Sequence, residues 1–350
     1  MRIAQIAPLA ESVPPQTYGG TERVVSYLTE ELVAMGHDVT LFASGDSVTK
    51  ANLEAVRPRA LRLDPELRDS LAPMALHVER VCQMANEFDI LHNHLDYLPF
   101  SLLNRQPTPY LTTLHGRLDI PELFPIYDCF NDVPLVSISH AQRRPLRGAN
   151  FVGTVYHGLP ETLLTPIPMQ RSYLAFLGRI CPEKSPDRAI RIARQAGVPL
   201  KIAAKVDRVD QEYYETVIRP MIDGKHIEMV GEIGDAEKSA FLSGAAALLM
   251  PIDWPEPFGL VMIEAMACGT PTIAFPAGSV PEVIEHGTTG WIVSDETAAV
   301  AAIKRLDRLS PDAIRRRFEQ RFTARRMAED YLSQYRRLAI PSRPHLRVVT

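Results

Sequence analysis

Two acids framing a turn of restricted backbone are the strongest chemical signal in the chain. Glu256 and Glu264 belong to Trp254-Pro-Glu-Pro-Phe-Gly-Leu-Val-Met-Ile-Glu264-Ala-Met-Ala-Cys-Gly269. Pro255 and Pro257 stiffen the approach. Phe258, Gly259, Leu260 and Val261 are expected to form a first helical turn, where unpaired N–H groups and the helix dipole favour an anion such as phosphate. Glu264 lies too far along that helix to cap it, and a carboxylate beside an anion site needs hydroxyl donors, which a ribose diol supplies. Glu256, in the stiffened loop, could bind the hydroxyls of a second ring. The plainer alternative is a capped helix with two solvated acids. Two acids framing Pro-Phe-Gly weigh against it.

Phe176-Leu-Gly178-Arg179-Ile-Cys-Pro-Glu-Lys184 places two cations five residues apart behind an apolar run, with Gly178 allowing close backbone approach. A guanidinium offers a fork of N–H groups to an oxyanion and an ammonium adds a point charge, so a diphosphate suits both. Taken alone, the two residues fit exposed surface ion pairs equally well. Gly19 and Gly20, in Tyr18-Gly-Gly-Thr21, stand between a first strand and a first helix, where backbone can come close to a ligand. His92, His94 and His115 each end an apolar run, where an imidazole could hydrogen-bond a sugar hydroxyl or assist proton transfer. His92 and His94 lack a third metal ligand at diagnostic spacing, so polar contacts are preferred over zinc. The sequence contains no Gly-x-Gly, no Gly-Lys-Ser/Thr and no Asp-x-Asp. The dinucleotide fingerprint, the ATPase phosphate loop and the usual short metal motif for a nucleotide sugar are thus missing. Neutralising a leaving diphosphate would fall to Arg179, Lys184 and the helix starts.

These residues need elements to hold them. The 350 residues allow about two domains. A hydrophobic fraction of 46% with 23% charged residues is that of a soluble globular chain, which excludes disordered and fibrous classes. The net charge of −4 argues against coating a nucleic acid but leaves room for a local basic pocket. Cys82, Cys129, Cys181 and Cys268 are spaced for neither a metal knuckle nor a disulfide framework and are expected to be buried thiols in a reducing compartment. No apolar run reaches the ~18 residues of a membrane span, and the amino terminus reads as a first strand, not a signal peptide.

Apolar runs alternate with amphipathic stretches: Arg2 to Pro8, a helix from Glu22 to Met35 with Thr21 as N-cap and Gly36 as its left-handed stop, then Asp38 to Ala43. A second helix is expected over 71–87, and strands at 89–92, 110–114, 135–139 and 153–156. After Gly158, Pro160, Pro166 and Pro168 punctuate a segment that continues neither helix nor central strand. The βα rhythm then resumes: strands at 173–177, 200–204, 227–230, 246–250, 272–275 and 290–293, with helices over 187–195 and 211–221. Two doubly wound α/β units facing each other would share one site at the carboxyl ends of their strands.

With these motifs in place, the chain resembles the retaining glycosyltransferases of glycosyltransferase family 4, which have the GT-B fold of two Rossmann-like domains. The likeness covers nearly the whole sequence. It rests on Glu256 to Glu264 within E-P-F-G-L-V-M-I-E-A-M-A-C-G-T-P, on Gly278-Ser-Val-Pro-Glu282 and His286-Gly-Thr-Thr-Gly290, and on Gly19-Gly20, Asp89-Ile-Leu-His92-Asn-His94, Thr113-Leu-His115-Gly116 and Gly178-Arg179 with Lys184. The resemblance implies an acceptor-side domain over 1–165, a donor domain over 166–325 and a crossover helix and tail over 326–350. It implies that Glu264 holds the ribose, Glu256 the transferred sugar, and Arg179 with Lys184 the diphosphate. Amides near Gly259, Leu260 and Val261 would complete the cradle, Gly20 would close on it from the other domain, and His115 would sit beside the donor sugar. His157 stands where the family commonly has Asn.

The implied reaction is metal-independent hexose transfer, with retention, from a nucleoside diphosphate sugar, a UDP-sugar first, to a glycan, lipid-linked sugar or small molecule. No cofactor and no nucleic acid is implied. Acceptor contacts are expected from loops 13–18, 94–97 and 117–132. Competing readings are a nucleotide-sugar 2-epimerase of the same architecture and a non-catalytic nucleotide-sugar-binding protein. The expected location is cytoplasmic. Eight arginines between Arg315 and Arg337 are read as the solvated face of a packed helix pair, with peripheral contact at the inner membrane face as the second reading.

Overall fold

The computed structural model describes residues 1–16 and 19–339; Tyr18 of the first glycine loop and the end of the tail, 340–350, lie outside them. Strands β1 (Arg2–Ile6), β2 (Asp38–Phe42), β3 (Asn52–Glu54), β4 (Ile90–Asn93), β5 (Tyr110–Thr113), β6 (Leu135–Ser137) and β7 (Phe151–Thr154) form a parallel sheet in the order 3-2-1-4-5-6-7. Strands β8 (Tyr173–Arg179), β9 (Leu200–Lys205), β10 (Ile227–Gly231), β11 (Ala245–Met250), β12 (Thr272–Ala274) and β13 (Gly290–Ile292) form a second, in the order 10-9-8-11-12-13. Parallel sheets are covered on both faces, which explains strands as continuously apolar as Ala-Ala-Ala-Leu-Leu-Met over β11. In each sheet the chain winds outward and then returns to the other side of its first strand. The strand order therefore reverses between β1 and β4, and again between β8 and β11. Those crevices are where open α/β sheets bind ligands, and the loops leaving these four strands carry the motif residues.

Helix α1 (Gly20–Ala34) buries Val24, Val25, Leu28 and Leu32 on one face. It starts earlier than expected, with Gly19 at the N-cap and Thr21 inside the first turn, and no side chain caps it. A side chain at Gly19 would meet Pro15 at 2.7 Å. At the other end Gly36 takes φ +81°, the left-handed stop. Helix α2 (Leu71–Met84) is buried only over its second half, at His77, Val78 and Val81, and Leu71 and Ala75 lie exposed. The expected helix over 211–221 is broken into α, π and 3₁₀ turns, since Pro220 offers no N–H to a regular ladder. The second domain adds α3 (Pro186–Ala196), α4 (Asp235–Ser243) and α5 (Leu260–Ala267).

The tail forms α6 (Pro311–Arg321) and α7 (Ala324–Ala339). Helix α6 packs on α5 of the second domain, while α7 crosses back onto α1 and β4 of the first. The two chain crossings are tied together. Leu159 donates to Phe322 O at 2.9 Å, Ala324 donates to Leu159 O at 2.7 Å, and a Cβ on Gly158 would stand 2.2 Å from Thr323 O. Phe318, Phe322, Tyr331 and Tyr335 join one face of the first sheet and the second domain into a single apolar cluster; the other face of the first sheet has its own core around Ile6, Leu91, Phe100 and Leu135.

Two expectations about side chains are corrected. Several tail arginines face protein rather than solvent: Arg315 donates to the carbonyls of Glu161, Leu164 and Ala267, Arg321 to that of Glu282, and Arg326 to those of Tyr156 and His157. Of the four cysteines, Cys181 and Cys268 are buried, Cys82 is half-buried, and Cys129 is exposed.

Candidate active site

The two crevices face each other across one cavity of about 510 Å³. Gly19, Gly20 and His115 border it from the first domain; Arg179, Lys184, Glu256, Phe258, Gly259, Leu260, Val261 and Glu264 border it from the second. A Cβ on Gly20 would lie 3.9 Å from Leu260, so the glycine loop of one domain touches the helix start of the other. Six cations, Arg23, Arg117, Arg179, Lys184, Lys205 and Lys238, border the cavity against three carboxylates, Glu232, Glu256 and Glu264. Asp119, Asp207, Asp210 and Asp235, just behind that lining, pair with these cations, so an anionic ligand would engage them by exchange of ion pairs.

The loop before α5 is shaped by two glycines. Gly259 is the N-cap at φ +78°, and a side chain there would also strike Met262 at 2.8 Å. Gly278, at φ +57°, lets a second loop lie flat on Glu256, where a Cβ would stand 2.2 Å from Glu256 O. Ser279 then donates through N–H to Glu256 O at 2.9 Å and through its hydroxyl to Phe258 O at 2.8 Å. The helix proper starts at Leu260, later than expected. Phe258 is therefore no amide donor of the first turn but a buried ring under the cleft, 4.9 Å from the His157 ring. The amides of Leu260 and Val261 remain at the open start of α5.

Both motif acids are buried, which removes the reading as solvated side chains. Glu256 is ion-paired with Lys184 and accepts from Trp254 Nε1 at 3.0 Å. Glu264 accepts from Lys238 Nζ at 2.7 Å, and Lys238 also lies 3.2 Å from Asp235, which pairs with Arg23 across the cleft. Burial works against the charged form of Lys238, but Glu264 and Asp235 outweigh it and hold its pKa above the ordinary value. Arg179 stands 3.6 Å from Asp207 and 3.5 Å from Asp210. The cations expected to grip a diphosphate are thus partnered by carboxylates.

The first-domain wall is different in kind. His94 does not border the cavity. It is buried behind His115, with Nδ1 2.9 Å from His115 Nε2 and Nε2 2.9 Å from Gln5 Oε1. The expected role of His94 as a substrate contact is corrected to a support of His115. His92 is deeper still, between Tyr335 and Thr113. The His115 and His157 rings stack at 5.4 Å. Burial pushes the His115 imidazole down to about 3 and holds His92, His94 and His157 well below the usual range, with neighbouring imidazoles adding to it. Asp96, half-buried in the loop after β4 at φ +49°, accepts the His115 backbone N–H; burial raises its carboxyl to about 6 against that hydrogen bond.

Sequence reasoning missed Lys238, Arg23 and Gln5, and it quoted Glu282 only as a motif residue, without a role. Glu282 accepts the backbone N–H groups of His140 at 2.7 Å and Ala141 at 2.6 Å and the Tyr156 hydroxyl at 3.0 Å, docking the second domain on the first. Gln5 left a signal: a carboxamide inside the apolar run Arg-Ile-Ala-Gln-Ile of a central strand must find partners. Among the described residues no group of three or more His, Cys, Asp or Glu is arranged to hold a metal ion, and no helix is long and apolar enough to cross a membrane.

Residues 18–174 match the family described as Glycosyltransferase Family 4, and residues 165–325 match the family of group 1 glycosyl transferases. A D-inositol 3-phosphate glycosyltransferase of Mycolicibacterium smegmatis is 29% identical over 182 residues, 45% of this chain and 38% of the relative. An N-acetyl-alpha-D-glucosaminyl L-malate synthase of Bacillus anthracis is 31% identical over 127 residues, 34% of this chain and 33% of the relative. The chain thus spans less than two fifths of the length of these curated relatives. Among solved structures, AviGT4, a glycosyltransferase involved in avilamycin A biosynthesis, superposes with a TM-score of 0.76 at 24% identity over 98% of this chain and 99% of its own. Anabaena HepE in complex with UDP and glucose does so with 0.74 at 18% over 97% and 100%. With both of its halves matched in order and two Rossmann-like sheets meeting at one cleft, the chain belongs to the family 4-like glycosyltransferases of the GT-B fold.

Proposed function

We propose that the protein is a retaining hexosyltransferase that moves a hexose from a nucleoside diphosphate sugar to an acceptor hydroxyl without a bound metal ion. The observation that carries this reading is the meeting, at one cavity, of Gly20, the open start of α5, Arg179, Lys184 and two buried acids. The amides of Leu260 and Val261 would face the diphosphate, with Arg179 and Lys184 neutralising it. Glu264 would accept the ribose hydroxyls, sharing Lys238. Glu256 would turn from Lys184 to the hydroxyls of the hexose as the diphosphate takes over the ammonium, an exchange of one ion pair for another. The Anabaena relative holding UDP and glucose makes a UDP-sugar the first donor to try.

In the reaction so read, the bond from the anomeric carbon to the leaving phosphate oxygen breaks as the acceptor oxygen bonds to the same face. The acceptor proton passes to the leaving phosphate oxygen. The acceptor would enter along loops 94–97 and 117–132. The reading keeps the cytoplasmic placement expected from the sequence. Arginines turned onto backbone carbonyls weigh against a lipid-facing tail, and salt-sensitive co-sedimentation with anionic liposomes would reverse that judgement.

Incubation with sugar-labelled donors separates the outcomes. Label transferred with the anomeric configuration kept supports the proposal. Epimerised free sugar marks a 2-epimerase, and donor bound but returned unchanged marks a binding protein. Activity should persist in excess chelator; a strict divalent-metal requirement defeats the metal-free part. Glu256→Gln should chiefly damage sugar handling, and full turnover in that variant contradicts its role.

A further inference from the structure

Behind His115 runs a buried polar chain for which the motif residues do not account. Gln5, fully buried in the middle of β1, holds it at the centre: its Oε1 meets His94 Nε2 at 2.9 Å and its Nε2 meets the Tyr335 hydroxyl at 3.1 Å. From Tyr335 the chain continues to His92 Nδ1 at 2.6 Å, from His92 Nε2 to Thr113 Oγ1 at 2.7 Å, and from Thr113 to the Tyr331 hydroxyl at 2.9 Å. On the other side His94 Nδ1 meets His115 Nε2 at 2.9 Å.

Proton counting orders this chain. A carboxamide accepts at one end and donates at the other, and a neutral imidazole carries one N–H. With Gln5 Oε1 accepting, His94 must be protonated at Nε2. Its Nδ1 is then a lone pair, so the proton between the two rings belongs to His115 Nε2. That leaves His115 Nδ1 bare. In the other direction Gln5 Nε2 donates to Tyr335, whose own proton goes to His92 Nδ1; 2.6 Å is a phenol-to-imidazole distance, at the short end for a hydroxyl donor. His92 Nε2 then donates to Thr113, and Thr113 to Tyr331. Each link is satisfied once, which is how amide ends and tautomers are assigned. His115 borders the cavity, and its Nδ1 is buried without a hydrogen-bond partner. A buried polar atom in that condition costs free energy until a ligand supplies the missing group.

We propose that Gln5 is a positioning residue that sets the tautomer of His115 through His94, so that His115 offers a bare Nδ1 to a hydroxyl of the transferred hexose. The hydroxyl contact rests on the sugar-transfer reading above; the tautomer does not. His94 is a positioning residue by the same argument.

The test is nitrogen-edited NMR of the full chain labelled in its imidazoles, with variants Gln5→Met and Gln5→Glu. The ligand-free wild type should show His115 protonated at Nε2. Gln5→Met keeps the length but removes both partners, and His115 should become a mixture of tautomers. Gln5→Glu keeps an acceptor for His94 and should restore the Nε2–H form. In turnover, Gln5→Met should lower kcat by tenfold or more with donor KM within twofold, and Gln5→Glu should recover most of it. A merely structural role would lower Tm without moving the tautomer or separating kcat from KM. Wild-type His115 protonated at Nδ1 overturns the proposal, because the chain would then run the other way; that spectrum needs no variant to fold. An unchanged tautomer in folded Gln5→Met overturns it as well. The Nδ1 resonance should shift when the donor sugar that is turned over is added and not with its nucleoside diphosphate alone; no shift overturns the hydroxyl contact. If no sugar is transferred at all, the functional reading fails while the tautomer result stands.

Discussion

On the second-domain wall of the cleft, Lys184 faces Glu256, Arg179 faces Asp207 and Asp210, and Lys238 faces Glu264. On the first-domain wall His92, His94 and His157 are buried, His115 is half-buried at the cavity, and all four are held uncharged. The charged wall is assembled from loops and helix starts, with Glu256, Gly259 and Glu264 inside nine residues of chain. The imidazole wall is assembled across 330 residues, the separation of Gln5 from Tyr335. Charges that must meet a ligand can be written locally and held in reserve by one another. Neutral groups that must point in one direction need a completed core around them.

If that contrast is right, acid should break the imidazole wall first and with the largest effect. Burial depresses the folded-state values of His92, His94, His115, His157 and His77, the last to about 4. The unfolded chain, with imidazoles near 6.5, then binds more protons below that pH. The stability they contribute is full above 6.5 and is lost as pH falls below it, by about 1.4 kcal/mol per pH unit for an imidazole that stays neutral in the fold. The urea midpoint should therefore be lower at pH 5.5 than at pH 7.5. Equal midpoints would erase the distinction between the walls.

The charged wall should fail in turnover instead. Arg179→Ala should remove on the order of 1.5 to 3 kcal/mol of charged hydrogen bonding to the donor, a loss in kcat/KM with little change in Tm. A stability loss with intact kinetics would assign Arg179 to the fold. Tyr335→Phe sharpens the comparison from the other side, since it leaves Gln5 Nε2 and His92 Nδ1 unpartnered in the core. It should cost about 1 to 2 kcal/mol of stability, seen as a fall in Tm of several degrees. The smallest effect belongs to Arg117→Ala. Its pair with Asp119 is half exposed and contributes at most about 1 kcal/mol, so Tm should not move, and any change should be confined to acceptor KM.

Both sheets were legible in the sequence because parallel strands buried on two faces read as short apolar runs. β3 was not: Asn52-Leu-Glu54 is a three-residue edge strand with two exposed residues and no pattern to find. The charged wall was legible to the same degree, since Gly178, Arg179, Lys184, Glu256, Gly259 and Glu264 lie in two continuous stretches. Lys238 escaped because its partnership with Glu264 depends on α4 packing beside α5. The starts of α1 and α5 are displaced in opposite directions, yet each falls directly behind a glycine N-cap. Glycine at the N-cap satisfies the backbone turn without a side chain, so the polar residue that looks like the cap, Thr21, is already helical.

Helix α7 leaves the second domain and completes the first, and this has a consequence for synthesis. Until residue 335 has emerged from the ribosome, Gln5, His92 and Thr113 lack the phenols that satisfy them, and the sheet begun by the first residues has an uncovered apolar face. The domain made first is therefore finished last. A nascent chain stalled between α6 and α7 should expose that face to chaperones and proteases, while the second domain already has α3 to α6 in place.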